Sequence, residues 1–166
     1  MATPTSLPAT FVAGNVLTAA EMNNLRGAFR ILQVVRATDA TDRTTTSTSF
    51  VDANISVTIT PSSATSDVLL VWSLRRDTLS TGSTRSNFQI TDNSNTAISG
   101  AENHLVGLLA STIRNQFDVT LIGYDSPATT SATTYKGRFK VQDSGSTAEI
   151  QNADNTGQLF ALEISA

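Results

Sequence analysis

From Ile31 onward the chain alternates apolar and polar residues in short runs that end at turn-forming clusters. Ile55, Val57 and Ile59 alternate with Ser56, Thr58 and Thr60, the period-two mark of a half-buried strand, and Pro61-Ser62-Ser63 ends the run. Val68 to Leu74 is different. Val68, Leu70 and Trp72 lie on one side and Leu69 and Val71 on the other, so both faces are apolar. Such a strand fits a central position or a subunit interface. Asn87 to Thr91 and Thr96 to Ser99 flank Asp92-Asn93-Ser94-Asn95, which reads as a hairpin turn. His104 to Ala110 is a short apolar strand. Gln116 to Tyr124 places Phe117, Val119 and Leu121 on one face before Asp125-Ser126-Pro127 breaks it. Tyr135, Phe139 and Val141 share a face, Lys136, Arg138 and Lys140 share the other, and Gln158 to Ile164 closes the series. At the start, Ile31 to Ala37 is apolar enough to open the β-region, and Thr38 to Thr48 reads as a loop or weak edge. About nine or ten short, turn-bounded strands predict an all-β fold, a β-sandwich and most simply a jelly roll, over residues 31–166.

Ahead of Ile31 the period changes. Thr18-Ala19-Ala20-Glu21 is a capping box, with Leu17 and Met22 placed for a hydrophobic staple. Met22, Leu25, Phe29 and Leu32 follow at the a/d spacing of a coiled-coil seam. One short helix is predicted over 18–30. A helix of this length is marginal alone, so its stripe needs a partner: its own β-domain or copies of itself. Met22, Leu25, Phe29 and Leu32 are therefore the expected oligomer interface. Residues 1–17, with Pro4 and Pro8 among Thr, Ser and Ala, read as an extended segment. It is either a frayed terminus or an arm that orders on a partner. In the second case Phe11, Val12 and Val16 are the docking anchors.

Composition narrows the chemistry. A chain of 166 residues makes one domain the default and is long enough for a real core. Charged residues are 15% of it, against roughly 25% in ordinary soluble domains. Hydroxyls take their place, since Ser and Thr make up about a quarter of the chain, and Thr suits a pleated surface. A net charge of -3 gives no electrostatic case for nucleic acid. Without cysteine there are no disulfides or thiolate metal sites. No apolar run is long enough for a membrane span. Met1 to Thr10 lacks a cationic start and an apolar core, so no signal peptide is expected. The expected origin is a cytoplasm, with release by lysis or within a particle.

Catalytic signals are weak. A Ser–His–acid triad has only His104 to draw on, and no Gly-x-Ser-x-Gly elbow accompanies it. Glu21, Glu102, Glu149 and Glu163 form no obvious acid/base pair. Asp39 with Asp42, and Asp92 with Asn93 and Asn95, are oxygen-rich but do not match an EF-hand loop and read as turn chemistry. No enzyme activity, metal or cofactor is expected. Lys136, Arg138 and Lys140 read as a solvated face or a guarded edge strand, or as a contact for an anionic glycan or an acidic neighbour. Arg75-Arg76-Asp77 is similarly ambiguous. Trp72 and Tyr135 are candidates for stacking on a sugar, although Trp72 lies in the most apolar strand and is assigned to the core.

Several stretches resemble tailed-bacteriophage virion structural proteins. Phe11 to Leu25 (FVAGNVLTAAEMNNL) is similar to the N-terminal segment of many such proteins. Ile31 to Val35 (ILQVV), Thr45 to Asp52 (TTSTSFVD) and Ile59 to Ser63 (ITPSS) resemble the opening of a β-domain found in tail-fibre-like and minor structural proteins. Asp125 to Tyr135 (DSPATTSATTY) and Leu162 to Ala166 (LEISA) resemble its later segments. The resemblance implies a virion location, a β-rich head and a homotrimer that contacts other virion proteins. It leaves open a tail or fibre appendage, a capsid decoration protein or head fibre, and a module that binds a host surface glycan.

Overall fold

The computed structural model describes residues 31–78, 84–108 and 115–165, together with Val16. The arm and helix expected over 1–30 otherwise lie outside the described residues. The described chain is built from strands: β1 (Ile31–Asp39), β2 (Arg43–Thr45), β3 (Val51–Ile59), β4 (Asp67–Thr78), β5 (Thr84–Asp92), β6 (His104–Leu108), β7 (Asn115–Asp125), β8 (Thr133–Val141), β9 (Ala148–Ile150) and β10 (Gly157–Ile164).

The strands form two antiparallel sheets. In the first, β1 pairs with β10, β10 with β4, and β4 with β7. Short β2 and β9 pair with each other beyond the ends of β1 and β10, and β9 continues beside β4 where β10 stops. Thus β1 with β2, and β9 with β10, each act as one interrupted strand. The second sheet runs β3-β8-β5-β6. With each interrupted strand counted once, the first, eighth, third and sixth strands make one sheet, and the second, seventh, fourth and fifth make the other. That interleaving is the jelly-roll topology.

The core lies between the sheets and follows the alternation read from the sequence. Ile55, Val57 and Ile59 of β3, Val68, Leu70, Trp72 and Leu74 of β4, Tyr135, Phe139 and Val141 of β8, and Leu159 and Ala161 of β10 are all buried. Trp72 meets Phe88 edge-on with ring centroids 6.1 Å apart, and Phe88 stacks on Phe139 at 6.5 Å. Gly137 makes room for the indole. A Cβ there would come within 2.8 Å of Trp72 Cζ2 and 2.9 Å of Ile55 Cγ2.

Of the two readings of 38–48, the weak edge holds: β1 runs on to Asp39 and β2 adds a three-residue edge at 43–45. Two other readings are corrected. The cationic strand β8 is central, flanked by β3 and β5, so its lysines do not guard an edge. After the Asp92 turn only a bridge forms, between Thr91 and Ala97, in place of a second full strand. The chain there is spent on closing the sandwich. Ile98 N–H donates to Ile90 O at 2.9 Å on one sheet, and Tyr124 N–H donates to Ser99 O at 3.1 Å on the other.

Candidate interaction face

The sheet pairings set the outward residues of the first sheet in rows. One row reads Val34, Leu162, Leu69, Tyr124 across β1, β10, β4 and β7. The next reads Arg36, Phe160, Val71, Ile122. Ile31, Leu32 and Ile164 extend the apolar surface at the end where β1 begins. Thr38, Gln158, Ser73 and Thr120 form a polar row that bounds it on the other side. Val34 is 56% exposed, Ile122 58% and Tyr124 47%. An antiparallel sheet with one solvated face normally alternates apolar-in and polar-out. Here β4 and β10 abandon that alternation, because both of their faces are apolar.

The few polar groups on this face are held at its margins or laid flat. The Tyr124 hydroxyl donates to Asp67 at 2.5 Å, as does Ser126. That contact, with some burial and the carboxylate charge, pushes the phenol pKa up. The Arg36 guanidinium lies 5.8 Å from the Phe160 ring centroid, a cation–π distance. Among the described residues, the apolar side chains of this face are contiguous across β1, β10, β4 and β7 rather than scattered singly.

The outer face of the second sheet is polar and internally tied. Arg138 donates to Asp52 at 3.0 Å and to the Phe50 carbonyl at 2.6 Å. Lys136 donates to Asn95 at 2.8 Å and stands 3.9 Å from Asp52. Lys140 lies 4.9 Å from the Phe50 ring centroid. Between Asp52 and Ser56 the register of β3 slips, and Asn54 takes a left-handed conformation with φ of 56°. A β-bulge of this kind is common on edge strands. Beside it is a shallow cavity of about 230 Å³ lined by Asp52, Asn54, Ile55, Ser56 and Lys136.

The expected site residues are distributed as follows. Val16 is 88% exposed. Leu32 lies in β1 rather than on a helix, and it borders the apolar face. Phe11, Val12, Met22, Leu25 and Phe29 lie outside the described residues. His104 opens β6 at the surface, paired with Phe88. Among the described residues, no group of three or more His, Cys, Asp or Glu side chains converges as a metal site. The oxygen-rich clusters do turn work. Asp39 takes two bonds from Arg43, both at 3.1 Å, and one from Asn152 at 3.2 Å. Asp42 accepts Ala153 N–H at 2.8 Å, and Asp92 accepts Thr96 N–H at 2.8 Å.

Three buried charged residues, Arg76, Asp77 and Glu163, escaped sequence reasoning. Arg76 is fully buried at the far end of β4, with its Nε 3.3 Å from Ser86 Oγ. Burial pulls its pKa down, and neighbouring Asp77 opposes this. Glu163 is buried under the apolar-face end of the sheet. It accepts Ser62 N–H and the Ser62 hydroxyl, each at 2.7 Å, and the Gln33 amide at 2.6 Å. Burial alone would raise its pKa; the donors from Ser62 and Gln33 prevail and hold it down at about 2.

The signal for the apolar face was present but only partly used. The double-sided pattern of Val68–Leu74 recurs in Phe160, Leu162 and Ile164, and more weakly in Ile122 and Tyr124. Which of these share a face depends on strand order, which the sequence does not spell out. Compared with models of known protein families the chain matches none, and no curated protein matches it.

Proposed function

We propose that this chain is a non-enzymatic structural protein of a bacteriophage virion: a homotrimeric tail or fibre appendage joined to the particle through its N-terminal arm. The observation that carries the reading is the apolar outer face of the β1-β10-β4-β7 sheet. Among the described residues, that face presents a broad apolar surface suited to packing against another surface. Burying one Leu, Ile or Phe side chain is worth roughly 1.5–3 kcal/mol. The several such residues on this face, repeated in each protomer, supply ample free energy for association after its entropic cost.

The trimer and the virion rest on the resemblance of Phe11–Leu25, Ile31–Val35, Thr45–Asp52, Ile59–Ser63, Asp125–Tyr135 and Leu162–Ala166 to phage structural proteins. A capsid decoration protein or head fibre would use the same face and arm. Cryo-electron microscopy of the intact particle tests the reading. Trimeric density for this chain on the tail supports it; density on the capsid moves it to decoration; no density on the particle overturns it.

A host-glycan module is the second reading, and one feature favours it. The cavity at the β3 bulge gathers a carboxylate, an amide, a hydroxyl and an ammonium, from Asp52, Asn54, Ser56 and Lys136. Those groups match the donors and acceptors of a sugar ring. Binding on a glycan array that is lost in Asn54→Ala supports this reading, and an array without hits removes it.

A further inference from the structure

The segment 1–30 joins β1 at the apolar end of the outer face, not at its polar end. Ile31 and Leu32, exposed at the start of β1, border the first apolar row at Val34. The polar row of Thr38, Gln158, Ser73 and Thr120 lies at the other end. The chain ahead of Ile31 therefore arrives beside an apolar surface that no described strand covers. The helix predicted over 18–30 has the complementary pattern. Met22, Leu25 and Phe29 form its apolar stripe, and Asn23 and Asn24 fall on the other side.

The lengths agree as well. A helix over 18–30 is about 20 Å long at about 1.5 Å per residue. Strands β1, β10, β4 and β7 span three gaps of about 4.8 Å, about 14 Å in all. Arg30 adjoins Ile31 with no loop between them, so a bend at that join carries the helix across the strands rather than back along β1. Phe29 then falls near β1, Leu25 near β10 or β4, and Met22 near β7. A helix is about 10 Å across, and outward rows repeat about every 6.8 Å along a strand. It covers the row of Val34, Leu162, Leu69 and Tyr124 and leaves Ile122, in the next row, open to another chain. A second copy is the weaker occupant of the first row. Face against face would leave the stripe of 18–30 without a partner, and a helix this short is marginal alone. The tether also favours the chain's own segment, because a short linker sets an effective concentration in the millimolar range.

We propose that the segment 18–30 packs as a helix across the outer face of its own β1-β10-β4-β7 sheet, with Phe29, Leu25 and Met22 seated in that order along the row from Val34 to Tyr124. This contact goes beyond the trimer and the particle and requires neither. The chain has no cysteine, so engineered pairs report without background. Leu25→Cys is combined in turn with Leu162→Cys and Leu69→Cys, and Met22→Cys with Tyr124→Cys, each oxidised mildly at low protein concentration. The expected product is a disulfide within one chain, seen as a single-chain band of altered mobility on a non-reducing gel with its free thiols lost. It should form in the Met22 pair and in at least one Leu25 pair. Met22→Cys with Val34→Cys, at opposite ends of the row, should stay open. In the unmodified wild type, amide hydrogen exchange over 22–30 should be slowed at least about 100-fold relative to an unfolded peptide. Leu69→Asp should abolish that protection while the strand amides keep theirs. Links that form only between chains, a Met22–Val34 link, free thiols in every pair, or fast wild-type exchange over 22–30 would each overturn the proposal. The trimer is read separately, by light scattering. Within-chain links at single-chain mass keep this contact and remove the trimer, and between-chain links at three-chain mass do the reverse.

Discussion

The two outer faces of this sandwich are built by the same alternation, yet they solve the problem of water in opposite ways. On the β3-β8-β5-β6 sheet, outward residues are mostly polar, Leu105 at the β6 edge excepted, and charges there are satisfied within the chain, as with Arg138 on Asp52 and Lys136 on Asn95. On the β1-β10-β4-β7 sheet, outward residues are Val34, Leu162, Leu69, Phe160, Val71 and Ile122, with nothing from the described chain laid over them. Both sheets share one core, so the difference is not required for folding. A fold needs one apolar face per sheet, and the described strands do not themselves use this second one.

The largest expected effect comes from breaking this asymmetry. Ile122→Asp places a carboxylate in the middle of the apolar face, on a side chain that is already exposed and contributes little to the core. It should weaken self-association at least about 100-fold, about 2.8 kcal/mol, as read by sedimentation across a concentration series. Thr58→Asp, the matching change on the polar face, should leave the sedimentation profile unchanged. Equal effects from the two substitutions would end the distinction between the faces.

The core offers a way to separate folding from assembly. Gly137→Ala drives a methyl group against Trp72 and Ile55 and should cost about 1–3 kcal/mol of stability by overpacking. Thermal unfolding should show a lowered midpoint at an unchanged assembled mass. Glu163→Ala should cost a similar amount, about 1–3 kcal/mol, because it removes a buried carboxylate that accepts charge-assisted hydrogen bonds from Ser62 and Gln33. The wild-type carboxylate also makes a pH signature. Its folded pKa, about 2, is depressed below the ordinary 4.5. Its contribution to stability is therefore fully present above 4.5 and is lost as pH falls through about 2. Chemical denaturation at a series of pH values should show that loss in the wild type and a flatter profile over the same window in Glu163→Gln.

The smallest effect belongs to the polar face. Asp52→Ala frees Arg138 and Lys136, but the carboxylate is half exposed. The expected cost is about 0.2–1 kcal/mol, and it should shrink in high salt. Urea titrations at low and high ionic strength measure it. A larger, salt-independent cost would mean that the polar face is structural rather than merely solvated.

Much of the fold was legible because alternation is local. Ile55, Val57 and Ile59, the Tyr135–Phe139–Val141 face and the assignment of Trp72 to the core all follow from residues two apart, and each is buried as the pattern requires. What depends on pairing across the chain was not legible. The central place of β8, the interrupted strands made by β2 and β9, and the alignment of Phe160 with Val71 and Ile122 all arise from contacts distant in sequence. Arg76 and Glu163 look like ordinary surface charges because a buried ion is identified only by its partners. The double-sided apolar pattern of Val68–Leu74 named both a central position and an interface, and the strand is central with one face still open. The readings placed on Met22, Leu25 and Phe29 concern residues outside those described.

The central claim, that the apolar face exists to join copies of this chain, is tested most directly by light scattering on the purified wild type beside Ile122→Asp. The account predicts a wild-type mass three times that of the 17.5 kDa chain and a single-chain mass for the variant, with matching circular dichroism spectra. A wild type at the mass of one chain, or an Ile122→Asp protein that remains a trimer, would contradict it.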